Sequence, residues 1–321
     1  MNFLTKLIDA LKGNVVCVYG HDRPDGDALG AQIAVTQFLR EQKIEAYIAL
    51  NPQTPYNLLC LLRDTPKLPA ETIDQTKTLA VFVDCGDKTR VEGFNARGQI
   101  LANIDHHEGN PLFARYNCVE PHRSSTCELL CVLFQEYGWV PNLTAAQALY
   151  LGILTDTGNF SHSNTTASVF QATAYLLNHA PVNPHALNQI VFGGKSLEQI
   201  RLLSLFLSRI SLTHNGHLAY IELDKKDYEA THTQHSDTEG FISFALTIRN
   251  VKAAAFIETQ DDTVKGSLRS QDPSISVLQV AKQFQGGGHI CAAGFKTTLS
   301  SGIYSKEKLL TAFNFLNDTQ A

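Results

Sequence analysis

The sequence predicts an α/β fold. It has a larger domain on a parallel sheet with helices on both faces, a helical connector, and a smaller α+β domain. Three observations carry this. Up to Asp105, short apolar runs rich in β-branched residues alternate with helical patterning. From Ser125 to Leu177 the apolar spacing is helical throughout. After Asn215 strand-like runs return, with helices between and after them. Strand and helix in alternation is the pattern of a parallel sheet with crossover helices.

The elements follow in order. "MNFLTKLIDALKGN" mixes charged and apolar residues and reads as an amphipathic helix, since it lacks the continuous apolar core and cleavage site of a signal peptide. Residues 14–21, 44–50, 78–84 and 99–105 read as buried strands, and 28–43 as the helix between the first two. Helices are expected at 125–138, 144–156 and 165–178, with "HAPVNPHA" as a break. In "SLEQIRLLSLFLSRI", Ser196 and Gln199 have capping-box spacing. Strands are expected at 217–223, 251–259 and 264–270, and helices at 275–284 and 306–318. The expected domains are 1–188, a connector helix at 189–211, and 212–321.

The chain has 321 residues, 44% hydrophobic and 18% charged, enough for two ordinary cores. No apolar run approaches the ~20 residues of a membrane span. Seven cysteines without a C-x-x-C pair, several of them (Cys17, Cys85, Cys131) inside apolar runs, point to reduced thiols and a cytoplasmic setting. A net charge of -5 argues against a broad basic surface for long nucleic acid.

Chemistry concentrates at the strand ends of the first domain. The first strand runs into His21, Asp25 and Asp27; the third ends at Asp84; the fourth ends at Asp105, His106 and His107; Asp156 closes a later helix. Taken singly, "RPDGD" is a good turn and Asp27 a plausible helix cap. Taken together, they can converge, because the strand ends of a parallel sheet lie along the one edge where open α/β folds bind ligands. Crowded carboxylates repel unless cations sit among them. A mixed imidazole and carboxylate set suits Mn²⁺, Zn²⁺ or Fe²⁺ better than Mg²⁺. So many candidate ligands exceed one ion's needs, which points to two ions about 3.5–4 Å apart.

Other motifs fail. Aspartyl-phosphate chemistry has no use for "DHH", the opening stretch lacks an EF-hand's alternating ligands, and "GGKS" at Gly193 has Gln189 where a Walker A loop needs Gly. Trp139 and Phe206, Phe241, Phe244 and Phe256 read as core, and His214, His217, His232 and His235 as solvated loop residues.

Five stretches in order, "HDRPDGDALGA", "VDCGD", "IDHHEGN", "LTDTGNF", and "SLRS" with "GGGHICAAGF", resemble the motifs of the DHH phosphoesterase family with its DHHA1 domain. The likeness is to the NrnA-like branch, oligoribonucleases (nanoRNases) and 3'-phosphoadenosine 5'-phosphate (pAp) phosphatases. Ala31 departs from the Ser common there, in a helix turn away from the ligands. The resemblance implies His21, Asp25 and Asp84 on one ion, and Asp27, Asp84, His106 and Asp156 on the other. Asp105 would orient a ligand and His107 would face the substrate phosphate. It implies two divalent cations, Mn²⁺ ahead of Mg²⁺, and a two-metal-activated hydroxide. Substrate would sit on Arg269, Ser270, Gly286, Gly287, Gly288 and His289, across a cleft between the domains. "GGGH" would bring backbone amides to a phosphate, aided by the N-terminus of a following helix.

The implied substrates are single-stranded RNA or DNA oligonucleotides of about two to five residues, dinucleotides and pAp, a size set by the cleft. No membrane and no obligate protein partner is expected, with a homodimer left open. The alternatives are a phosphodiesterase specific for linear or cyclic dinucleotides such as pApA or c-di-AMP, and an inactive nucleotide-binding module.

Overall fold

A computed structural model describes residues 2–63, 65–91, 94–95, 98–288 and 290–317. The chain divides into two compact units, Met1–Gly194 and Lys195–Ala321.

The first unit is an α/β layer structure. Its strands are β1 (Val15–Tyr19), β2 (Glu45–Leu50), β3 (Lys67–Pro69), β4 (Thr78–Val83), β5 (Gln99–Asp105) and β6 (Tyr116–Val119). They form one sheet in the order β3-β2-β1-β4-β5-β6, and every neighbouring pair is parallel. Its helices are α1 (Phe3–Leu11), α2 (Gly26–Glu41), α3 (Thr126–Tyr137), α4 (Leu143–Asp156), α5 (Ala167–His179) and α6 (Pro184–Phe192).

Because side chains alternate along a strand, Val16 and Val18 face the helices while Cys17 and Tyr19 face the other way. The α-helices pack on the first face, around Phe38, Phe134 and Leu149. The second face is closed by Tyr19, Phe82, Phe94 and Phe113 and by the short 3-10 helices 70–72 and 88–90. Helices thus lie on both faces, but among the described residues only the first carries α-helices.

The expected strands and helices of this unit are present within a few residues. Helix α6 is an addition, beginning inside the stretch expected to break the chain and running on to Phe192. Asn183 caps it by accepting from the Ala186 amide, and Pro184 sits at the first helical position, where no N–H is needed.

The second unit holds β7 (Ser211–Thr213), β8 (Leu218–Asp224), β9 (Ala253–Gln260), β10 (Thr263–Ser270), β11 (Gly287–Gly288) and β12 (Ala292–Thr298). Their order is β11-β12-β10-β9-β8-β7, antiparallel except for β8 with β9. Helices α7 (Leu197–Ser208), α8 (Lys225–Thr231), α9 (Phe241–Leu246), α10 (Val277–Gln283) and α11 (Lys306–Ala312) accompany it. The capping box is formed: the Gln199 amide donates to Ser196 Oγ at 3.1 Å, and the Ser196 amide to Gln199 Oε1 at 2.9 Å.

The stretch 189–211 contains the end of α6, residues 193–196, and α7. Leu202 and Phe206 of α7 are buried in the core of the second unit with Phe241 and Phe256. Trp139 is buried as expected, whereas Phe244 is exposed on the outer side of α9. One of the histidines read as solvated is not: His217 is buried with Nδ1 against the Leu316 carbonyl. His235 keeps a side chain 41% exposed while it bonds Glu258, which also accepts from Tyr228 and Thr238. Among the described residues no helix is long and apolar enough to cross a membrane.

Candidate metal centre

The strand order reverses between β1 and β4, and the crevice outside the carboxyl ends of those strands is where α/β sheets bind ligands. His21 follows β1, Asp84 follows β4, and Asp105 ends β5. Asp84 has φ +52°, a left-handed conformation that Asp tolerates better than most residues, and its amide still donates to the Ile104 carbonyl at 3.0 Å. That turn ends the strand and brings the buried carboxylate among the histidines.

Asp25, and not Asp27, is the N-cap of α2. Its Oδ1 accepts from the amides of Asp27 and Ala28, each at 3.0 Å, while Oδ2 lies 3.9 Å from His21 Nε2. Asp27 is therefore released from capping and fully buried. Its two oxygens accept from the first turn of α3, Oδ2 from the Thr126 amide at 2.7 Å and Oδ1 from the Cys127 amide at 2.8 Å.

Each histidine has one nitrogen engaged. His21 Nδ1 is 2.7 Å from the Asp22 carbonyl, so it carries the proton, and Nε2 faces Asp84 Oδ2 at 3.4 Å. His106 Nδ1 sits 3.3 Å from the Arg123 carbonyl. Its Nε2 lies 3.3 Å from Asp156 Oδ2, 3.5 Å from Asp84 Oδ1 and 3.9 Å from Asp27 Oδ2. His107 Nδ1 is 2.8 Å from Asp105 Oδ1. Asp105 is fully buried, and its Oδ2 accepts from Asn110 Nδ2 at 2.5 Å.

Three groups of side chains are close enough to hold a cation: His21, Asp25 and Asp84; Asp27, His106 and Asp156; and Asp84, His106 and His107. The donor set fits divalent ions. Among the described residues no Lys or Arg lies within ion-pair distance of Asp25, Asp27, Asp84 or Asp156; only histidines do. Burial, reinforced by the charges of Asp84 and Asp25, pushes Asp27 well above the usual carboxylate range. Burial and the charges of Asp27, Asp84 and Asp25 do the same to Asp156. Burial would raise Asp84 too, but its hydrogen bond to His21 and the charges of His107, His106 and His21 hold it below its ordinary value.

A pH dependence follows for the metal-free protein. Asp27 and Asp156 bind protons more tightly folded than unfolded. So does His21, where burial acts downward but is outweighed by the hydrogen bond to Asp84 together with the charges of Asp84 and Asp25 and the Asp22 carbonyl, and so does His107, held up by Asp105. A raised folded pKa contributes stability below the unfolded value, and that stability is lost as pH rises through the folded one. Asp84 has the opposite sign but acts only in acid below 3.8. In chelator the melting temperature is therefore expected to fall as pH rises from about 4 to about 8, with a shallower slope for Asp156→Asn. Mn²⁺ should raise it, and by more at higher pH, because the ion displaces those protons. A flat thermal profile in chelator, unchanged in Asp156→Asn, would refute this charge arrangement.

Residues 15–153 match the DHH family, N-terminal domain, and residues 228–319 match the DHHA1 domain. The chain belongs to the DHH family. It is 29% identical over 299 residues to a Thermus thermophilus protein named bifunctional oligoribonuclease and PAP phosphatase NrnA, covering 92% of this chain and 87% of that one. It is 28% identical over 285 residues to the Bacillus subtilis protein of the same name, covering 88% of each. An exopolyphosphatase-related protein from Bacteroides fragilis shares the fold with a TM-score of 0.85 at 23% identity, over 98% of this chain and 94% of that chain.

In this DHH chain the second unit places Arg269 opposite Ala292 of β12, while Gly288 of β11 pairs with Ala293. Arg269 and the glycines therefore flank one strand. Arg269 is half-buried, and burial lowers its pKa; its guanidinium donates to the Leu268 carbonyl at 3.0 Å, and no carboxylate among the described residues pairs with it. Ser270 is buried and donates to the Asp272 carbonyl at 3.4 Å. The expected helix after "GGGH" is absent: the glycines form a hairpin strand that leads into β12. The glycines serve close backbone approach, since a Cβ at Gly286 would overlap the Gly294 carbonyl and Gly288 has φ +135°. Gly287 and Gly288 are exposed, and His289 lies outside the described residues.

Sequence reasoning missed Thr126, Cys127 and Asn110. Asn110 stands in the quoted "IDHHEGN". The signal for the other two was the "STCE" spacing, where Ser125 caps α3 by accepting from the Glu128 amide at 3.0 Å. It announces a helix N-terminus, but not that the terminus points at a carboxylate 99 residues earlier.

Proposed function

We propose that the protein is a metal-dependent phosphoesterase that hydrolyses short single-stranded oligonucleotides, about two to five residues long, to mononucleotides, and pAp to AMP and phosphate, with the reacting phosphate oriented at the cluster of carboxylates and histidines. The observation that carries this is the orientation of Asp84. Its Oδ2 faces His21 and its Oδ1 faces His106, so one carboxylate joins two ligand groups. The names of the two relatives supply the substrate pair.

In this reading His21, Asp25 and Asp84 hold one cation, and Asp27, Asp84, His106 and Asp156 the other. Two divalent cations, when bound, supply Lewis-acid charge and the acidification of an attacking water. Mn²⁺ suits the mixed imidazole and carboxylate donors better than Mg²⁺. With Nδ1 committed to Asp105, His107 offers Nε2 to the substrate phosphate, and Asn110 keeps Asp105 in place. Arg269, with Ser270 and the exposed residues Gly287 and Gly288, binds a further phosphate through charge-assisted hydrogen bonds. Water adds to phosphorus, the ester P–O bond breaks, and the leaving oxygen takes a proton. No side chain of the site needs to form a covalent intermediate.

The test is a timed digestion of end-labelled RNA of two to about ten residues, with pAp alongside, in Mn²⁺ and in Mg²⁺; a short-site enzyme should slow sharply beyond about five residues. Turnover of RNA with no phosphate released from pAp removes the phosphatase half. Turnover of dinucleotides alone favours a dinucleotide-specific enzyme. Tight pAp binding without turnover in either ion points to an inactive binding module.

A further inference from the structure

We infer that Thr126 is a positioning residue for the metal centre, and that its hydroxyl decides which oxygen of Asp84 serves which cation. The inference rests on reading the cluster as a two-cation site. Thr126 is the first residue of α3 and is fully buried. Its Oγ1 donates to Asp84 Oδ1 at 3.2 Å, and its amide donates to Asp27 Oδ2 at 2.7 Å. One residue therefore touches two carboxylates that face the same nitrogen, His106 Nε2.

The two contacts have different consequences. The amide, with that of Cys127, fixes both oxygens of Asp27, and any residue except Pro would supply it. The hydroxyl is specific to Thr or Ser. It distinguishes the two oxygens of Asp84: Oδ1 receives the bond, while Oδ2 is left to His21. Without it, the Asp84 side chain can turn about its terminal torsion, a broad and nearly two-fold well for Asp. The helix amides place positive potential beside Asp27, where the carboxylates crowd, so the pair is held before any cation arrives. Hydrogen bonds of this outer kind commonly set metal affinity by about 10–100-fold.

The experiment is Mn²⁺ titration of the full-length protein without substrate, read by electron paramagnetic resonance, on the wild type and on Thr126→Val, Thr126→Ser and Thr126→Ala. Thr126→Val keeps the shape and the amide and removes only the hydroxyl. The wild type should bind two ions. Thr126→Val and Thr126→Ala should weaken one of the two by about 10-fold or more, whereas Thr126→Ser should restore it.

Equal Mn²⁺ binding by wild type and Thr126→Val overturns the inference and leaves the proposed function standing. Equal weakening by Ser, Val and Ala also overturns it, since packing and not the hydroxyl would then matter. A wild type that binds no Mn²⁺ overturns the functional reading and this inference with it. Should Thr126→Val fold poorly, the Ser and Ala pair gives the same contrast.

Discussion

Asp84→Asn is expected to abolish hydrolysis of short RNA and of pAp together, by about 10³-fold or more, a loss at the upper end for a single electrostatic group. Asn is the informative replacement because it also tolerates the left-handed backbone that position requires, so the strand end should survive. What it removes is the charge, and with it one ligand from two of the three cation-sized groups at once. The two activities should fall in parallel because they share one centre. Mn²⁺ titration of the variant should show both ions weakened. Retained turnover of either substrate would mean that this activity resides elsewhere. The expected stability change separates this variant from Asp156→Asn. Burial and the charges of Asp27, Asp84 and Asp25 disfavour the charge of Asp156, so its amide variant should lose activity while gaining stability in chelator. Loss of function paired with gain of stability is the usual signature of a strained functional group.

Gly152→Ala carries the second large effect, and it concerns a residue that bears no chemistry. Gly152 lies in α4 where that helix crosses α2 and the start of α3. A Cβ there would overlap the Cys127 sulfur and lie 2.9 Å from Asp27 Oδ1. Across the same seam, a Cβ at Gly30 of α2 would lie 2.5 Å from the Ala148 carbonyl of α4. The two helices meet backbone to backbone because both glycines are there, and this brings Asp27 of α2 and Asp156 of α4 to the same imidazole. Overpacking of this kind costs about 1–3 kcal/mol. Gly152→Ala should therefore lower the melting temperature and also weaken Mn²⁺ binding, because the added methyl presses on Asp27. Cys127→Ala in the same chain should relieve part of both defects, since it removes the sulfur but keeps the amide that holds Asp27. If the double variant is no better than Gly152→Ala, the crowding is not at Cys127 and the account of the seam fails. Measured as a cycle, the two substitutions should be strongly non-additive.

The contrast between these variants marks what was legible. His21, Asp25, Asp27, Asp84, Asp105, His106 and His107 could be picked out because each follows a strand that its own local pattern announces, and parallel strands end on one edge. The parallel sheet, the α2, α3, α4 and α5 helices and the capping box at Ser196 were readable for the same local reason. Elements whose local signals point two ways were not. Pro184 looks like a breaker until Asn183 is seen to cap the helix that it begins. "GGGH" looks like the entry to a helix until Gly286 is seen packed on the Gly294 carbonyl, where the chain continues as strand.

The sequence by itself determined which residue types stand at the sheet edge, and hence that carboxylates and imidazoles gather there with few cationic side chains to balance them. Only the tertiary structure decided how they divide. Asp25 spends one oxygen on the helix cap and turns the other toward His21. Asp27 is held by α3 amides 99 and 100 residues further along the chain, and Asp84 divides its two oxygens between two sides. The physical reason is range. Strand propensity and capping act within a few residues, whereas the choice between two chemically identical oxygens depends on donors that arrive only when distant helices pack.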